Sequence, residues 1–170
     1  MRAPYQVLVF PYKHKDETVL FLLCLRRDLG FWQPVSGGGE DTETYLETAK
    51  RELSEETDLV GKNWMQLDSM CTLPRILFND HKHWNNHLLV VPEYAFSVQV
   101  KGEPTLSSEH IDYCWCNATE AQKLLKYDSN RIALWELFER LKAHGKRIPE
   151  LDRFSILKQI KIALKVFYFP

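Results

Sequence analysis

Short apolar bursts alternate with charged breaks along the first part of the chain. YQVLVF (5–10) and VLFLLCL (19–25) are rich in β-formers and flank the charged KHKDE, which predicts two strands joined by a turn. FWQPVSGGGED (31–41) sets aromatics before a proline and three glycines, which predicts a strand running into a loop. The period then changes. From about Thr44 to Thr57 the residues favour helix, with Tyr45, Leu46, Ala49 and Leu53 as the apolar stripe. WMQLDSMCTL (64–73) and HLLVVPEYAFSVQV (87–100) return to strand, the second interrupted at Pro92. IDYCWCN (111–117) alternates and leads into a helix that starts at ATEAQKLL. SNRIALWELFERLKAHG (129–145) is an amphipathic helix, with Ser129 as N-cap and Gly145 as its stop. Neither an internal repeat nor a low-complexity tract is visible. Strands and helices mix without strict alternation, so the pattern predicts an α/β domain: a mixed sheet covered by helices.

Composition narrows the partners. A chain of 170 residues builds one domain with a real core. Its net charge is −1, from 22 basic and 23 acidic side chains. That balance lacks the basic excess of nucleic-acid binders but leaves room for a small phosphorylated ligand. The N-terminus lacks a signal-peptide pattern and no apolar run reaches the length of a membrane span. Cys24, Cys71, Cys114 and Cys116 follow no zinc-finger spacing, so the expectation is a cytoplasmic protein with reduced thiols and no membrane partner.

One stretch breaks the ordinary rules of helix design. Glu52, Glu55 and Glu56 crowd into a single turn, although like charges at this spacing repel by roughly 0.2–0.5 kcal/mol per pair. On a helical wheel Glu55 falls about 60° to one side of Glu52 and Glu56 about 40° to the other. The acidic face therefore borders the apolar stripe. A solvated charged face is the plainer reading. Three oxygen-only ligands within one turn instead suit a hard divalent cation such as Mg²⁺, which takes carboxylates, waters and substrate phosphates. Such an ion would offset the repulsion. Upstream, Gly37, Gly38 and Gly39 let the backbone approach a ligand closely.

Gly37, Glu43, Arg51-Glu52-Leu53-Ser54-Glu55-Glu56 and Leu59 resemble, position by position, the Nudix box. Asp58 stands where that family usually has glycine; Asp tolerates the left-handed conformation better than most residues, so the turn is expected to survive. The resemblance implies a Nudix fold, an α/β/α sandwich with a mixed sheet, over residues 1–145. It also implies hydrolysis of a nucleoside diphosphate linked to another group. Glu43 precedes Arg51 by about 12 Å of helix, and the resemblance implies that the loop folds back to pair them, orienting the metal helix. Glu47 and Arg51 make an ordinary i,i+4 pair.

Outside the box, LRRDLGFWQPVSGG, LSSEHIDYCWCN and YDSNRIALWELFERL resemble the dihydroneopterin triphosphate pyrophosphohydrolase branch. That branch implies that Glu109 completes the metal site. The metal ligands are then Glu52, Glu55, Glu56 and Glu109, and the catalytic set is Glu52, Glu55, Glu109 and Arg51, with Glu52 or Glu109 as the base. Mg²⁺ is the implied cofactor, with Mn²⁺ as a substitute. Arg26 and Arg27 can clamp phosphate oxygens, though strand neighbours face opposite sides and one of them must point elsewhere. Gly37 and Gly38 complete the phosphate approach. Phe31 and Trp32 can stack on a pterin or purine, or pack in the core. Asn130 and Arg131 can bind ligand or simply begin the last helix.

The implied reaction releases pyrophosphate from dihydroneopterin triphosphate, a step in folate synthesis, or from a purine (deoxy)nucleoside triphosphate. Dinucleoside polyphosphate hydrolysis and a non-catalytic nucleotide-binding module are the alternatives. The protein is expected to be a monomer or homodimer. His81, His83 and His87 lie close together but lack helical metal spacing, so a substrate-facing loop carrying Arg75 and Lys82 is preferred over a zinc site. The basic amphipathic stretch in 146–170 is expected to pack on the domain or on a partner subunit.

Overall fold

The first apolar run grows into β1 (Arg2–Lys15), which organises the sheet from both of its edges. The computed structural model describes residues 1–40 and 42–145, and the expectation for the 146–170 tail lies outside them. β2 (Thr18–Arg26) returns antiparallel through a turn in which Asp16 takes φ 53°. The two pair only where Tyr12–Lys15 meets Thr18–Phe21. Beyond that the strands part. The earlier half of β1 pairs antiparallel with β4 (Val35–Glu40), and the later part of β2 pairs with β3 (Trp32–Gln33). β7 (His110–Cys116) runs antiparallel to β2 from Phe21 to Arg26. β1 is parallel to β6 (Val90–Val100), which is antiparallel to β5 (Gly61–Pro74) at the sheet's end. The sheet is therefore mixed.

Among the described residues three α-helices accompany it: α1 (Tyr45–Thr57), α2 (Ala118–Leu124) and α3 (Asp128–Gly145), the last packing on it through its part up to Phe138. Alternation along β1 assigns the faces. Tyr5, Val7 and Val9 form one core with Ala49 and Leu53 of α1 and with Phe96 and Val98 of β6. Leu8 and Ala95 point the other way and meet Ser129 and Ala133 of α3. Phe138 closes that side edge-on against Phe21. Met1–Phe138 make one compact unit; a second begins at Glu139, of which the described part is the end of α3.

Several boundaries differ from expectation. The glycine triplet lies in β4, not in a loop, because hydrogen bonding to β1 holds it extended. Tyr45 and Leu46 are exposed, while Thr48, Glu56 and Thr57 join Ala49 and Leu53 in the buried face of α1. Ser129 is inside α3, which begins at Asp128, and so is not its cap. β6 begins at Val90, not His87, and tolerates Pro92 because pairing with β1 starts only at Glu93.

Candidate active site

The site forms where β4 runs beneath α1. Gly37 pairs with Val7, and a Cβ on it would lie 1.9 Å from the Glu52 carboxyl carbon. Only a bare backbone lets that carboxylate rest against the strand. After β4 the chain turns back, Glu43 N–H donating to the Glu40 carbonyl at 3.0 Å. Thr44 then caps α1, its hydroxyl accepting from Glu47 N–H while Glu47 accepts from Thr44 N–H, a reciprocal capping box. That use of the Glu47 carboxylate replaces the i,i+4 pair with Arg51 expected from spacing. At the other end Asp58 adopts the left-handed conformation, φ 54° and ψ 21°, and its N–H donates to Ser54 O at 2.8 Å. The turn at the departing position is kept.

Arg51 is the hub. Its guanidinium grips Glu43 with both arms, at 2.8 and 3.0 Å, donates to Gly38 O at 2.8 Å, and uses Nη1 to bridge Glu52 and Glu55, each at 2.9 Å. The fold-back thus brings Glu43 to Arg51 as the resemblance implied. This fork–fork pairing holds the Glu43 carboxyl down to about 2, aided by Glu40 N–H and the Thr48 hydroxyl. The same carboxylates raise the pKa of Arg51.

Burial separates the three clustered acids. Glu56 is 4% exposed, and burial with the neighbouring Glu52 charge pushes its carboxyl up to about 9. One of its oxygens accepts weakly from Ser36 N–H at 3.3 Å; the other, Oε2, is buried without a hydrogen bond. His110 Nε2, also buried, stands 3.5 Å from that oxygen. Glu52 is raised by burial too, against the pull of Arg51, whereas Glu55 is exposed. Among the described residues no three acidic, histidine or cysteine groups converge closely enough to hold a cation as they stand. The reason is local: Arg51 Nη1 fills the space between Glu52 and Glu55. The donor set nevertheless fits a hard divalent ion. It is all oxygen, and it includes a buried carboxylate oxygen with no hydrogen-bond partner among the described residues.

Glu109 arrives from the turn before β7. It accepts from Arg26 Nη1 at 3.1 Å and lies within electrostatic reach of Glu56. Arg26 also grips Asp28, with two contacts of 2.9 Å. Arg27 takes the Ser108 carbonyl at 2.8 Å and turns to the loop, so Arg26 is the arginine of that pair left beside the acids. Phe31 packs edge-on to Tyr127 beneath Lys126, and Trp32 pairs with Leu25 within the sheet. Asn130 is buried. Arg131 ties α3 to α2 through Gln122 O and pairs with Asp128, which gives it a structural role. His81 bonds the Phe78 carbonyl in the turns after β5.

Three participants escaped the sequence reading: Asp28, His110 and Arg2. His110 follows Glu109 directly and only β7 pairing shows that it faces Glu56. Arg2 lies across Gly38, where a Cβ would come 2.3 Å from its guanidinium carbon. Nothing in the chain's local pattern signals that approach; it depends on the register of β1 with β4.

A mixed sheet with an acidic helix laid over a glycine strand, and a bidentate Glu–Arg clamp at its root, defines a polyphosphate-hydrolase class of site. Comparison with known proteins places the chain within it. Residues 3–138 match the NUDIX domain, and the chain belongs to that family as a hydrolase acting on phosphoric anhydrides. It is 31% identical over 137 residues to a dihydroneopterin triphosphate diphosphatase of Escherichia coli (strain K12), covering 78% of this chain and 91% of that one. A Haemophilus influenzae protein of the same name is 34% identical over 133 residues, covering 75% and 83%. A NUDIX hydrolase structure from Listeria monocytogenes superposes with a TM-score of 0.74 at 39% identity, covering 86% of this chain and all of that one.

Proposed function

We propose that the protein is a Mg²⁺-dependent pyrophosphohydrolase that converts dihydroneopterin triphosphate, or a purine (deoxy)nucleoside triphosphate, to its monophosphate and pyrophosphate. The observation that carries this reading is the buried, unpartnered oxygen of Glu56 beside Glu52, held against the Gly37 backbone. The names of the Escherichia coli and Haemophilus influenzae relatives support the pterin substrate.

Glu52, Glu55, Glu56 and Glu109 would hold the ion, with Mn²⁺ an acceptable substitute. When bound, it supplies charge neutralisation for the polyphosphate and a lowered pKa for water. This chain's side chains do the rest. Arg51 fixes the helix against β4 and keeps Glu52 aimed at Gly37. Arg26 turns its fork toward phosphate oxygens, exchanging Asp28 for the stronger anion. Water attacks the α-phosphorus, the bond from that phosphorus to the α,β-bridging oxygen breaks, and pyrophosphate leaves. Glu109 takes the water's proton through the carboxylate oxygen not given to the ion: it is exposed and, among the described residues, its side chain is held by Arg26, whereas Glu52 is locked by Arg51.

The test is turnover in H₂¹⁸O with Mg²⁺ across dihydroneopterin triphosphate, the common nucleoside triphosphates, diadenosine polyphosphates and ADP-ribose, with products resolved by chromatography. The expected result is pyrophosphate plus an ¹⁸O-labelled monophosphate, fastest from the pterin or a purine. Turnover confined to dinucleoside polyphosphates would reject the substrate reading. Binding without turnover, unaffected by EDTA, would point to a regulatory module.

A further inference from the structure

From the active-site strand a row of polar residues continues across the sheet. Gly38 of β4 pairs with Gln6 of β1, Gln6 with Glu93 of β6, and Glu93 with Cys71 of β5. Residues paired in register share a face, and here it is the face that α3 covers, since Glu93 and Cys71 line a cavity with Ser129 and Ala133. Two strand spacings, about 10 Å, separate Glu93 from Gly38. That is the scale between the phosphates of a nucleotide and the far edge of its ring.

Arg2 occupies the near end. Arg26 and Arg51 have carboxylates, and Arg27 has carbonyls. Among the described residues the Arg2 side chain meets Gln6 Oε1 and the face of Phe78, 5.0 Å away, and its buried Nε has no hydrogen-bond partner. Burial lowers its pKa, with the Glu52 and Asp80 charges opposing. A guanidinium held this way, within electrostatic reach of Glu52 and Asp80 and hydrogen-bonded through one arm to Gln6, has donors left for an anion.

Glu93 occupies the far end, 8% exposed. Among the described residues its one hydrogen bond comes from the Cys71 thiol at 3.3 Å, and no cation pairs with it. A carboxylate has acceptor sites for several donors, so most of its capacity is unused. Burial raises its pKa, and N–H donors from a ligand would favour the charged form. The adjoining cavity measures about 10 Å³, room for one water-sized group. That volume matches an exocyclic amino group.

We propose that this row seats the substrate: Arg2 binds the terminal phosphates, and Glu93 accepts the paired N–H groups of a 2-amino-4-oxo ring, the edge shared by guanine and pterins. The proposal rests on the hydrolase reading above and names the ring that reading leaves open. Adenine presents an acceptor and no amino group at the same edge, leaving the buried carboxylate unsatisfied.

Calorimetry in Mg²⁺ with pyrophosphate and with the α,β-methylene analogues of GTP and ATP tests both ends without needing turnover. Wild type should bind the guanine analogue at least about tenfold tighter than the adenine one, a ratio worth about 1.4 kcal/mol. Arg2→Gln should weaken pyrophosphate and both analogues by a similar factor of about ten or more, leaving the ratio intact. Glu93→Gln, nearly isosteric, should leave pyrophosphate binding unchanged and collapse or invert the ratio. Competition by dihydroneopterin against guanosine then tells which ring is the better fit. An unchanged pyrophosphate affinity in Arg2→Gln, or an unchanged ratio in Glu93→Gln, overturns the proposal. So would losses that merely track a lowered melting temperature. If wild type binds and discriminates but hydrolyses nothing, the hydrolase reading fails while the seat stands.

Discussion

Asp58 shows how a single backbone angle links sequence to site. Its φ of 54° was legible as a tolerated departure, because Asp is among the few non-glycines that visit this region. Asp58→Gly should therefore stabilise the protein by about 0.5–1 kcal/mol, read from urea unfolding, with activity unchanged. A loss of stability would mean that the Asp side chain contributes more than its strain costs. Gly37 is the opposite case. A methyl group there collides with the Glu52 carboxyl, so Gly37→Ala should keep the fold and lose about 10²-fold or more in turnover, since small misplacements are costly in a preorganised site. The Glu43 clamp predicts a pH effect. Its pKa is depressed from 4.5 to about 2, so its stabilising contribution is complete above about pH 4.5 and is lost as pH falls toward 2. Glu43→Gln should be less stable than wild type at neutral pH and converge with it near pH 2. A constant gap across that range would refute the clamp. Arg2 was illegible at this scale because its importance comes from a strand neighbour far along the chain.

At the scale of elements, the periods were readable and the edges were not. The α1 boundaries follow from its capping box and left-handed end, both local chemistry. The glycine triplet misled because glycine usually marks turns, whereas here β1 imposes an extended path and the missing side chains admit Glu52 and Arg2. Ser129 misled in a similar way: α3 opens one residue earlier, at Asp128. One contact between elements had no sequence signal at all. Glu136 of α3 accepts from the backbone N–H groups of Asp68 and Ser69, both at 2.8 Å, at the irregularity where β5 slips register against β6. One exposed and one half-buried donor share this carboxylate. Glu136→Ala should cost about 0.5–1.5 kcal/mol of stability, and hydrogen exchange should quicken at residues 68 and 69. Unaltered exchange there would show that water replaces the carboxylate without penalty.

For the whole molecule, the acidic helix was legible in the sequence but its surroundings were not. Burial and the neighbouring Glu52 charge push the Glu56 carboxyl up to about 9, and Glu109, which precedes β7 in a distant stretch of chain, adds to the shift. That buried carboxyl is also the centre of the functional claim. Burial holds that carboxyl well above the usual carboxylate range, so the nearly isosteric Glu56→Gln should leave folding undisturbed. The most direct measurement is pyrophosphate release from dihydroneopterin triphosphate by wild type and Glu56→Gln as Mg²⁺ is raised from zero. The account predicts wild-type turnover that saturates with Mg²⁺ and disappears with EDTA, and a variant with an unchanged melting temperature whose turnover falls about 10²-fold or more. Turnover indifferent to chelation, or retained in full by Glu56→Gln, would contradict it.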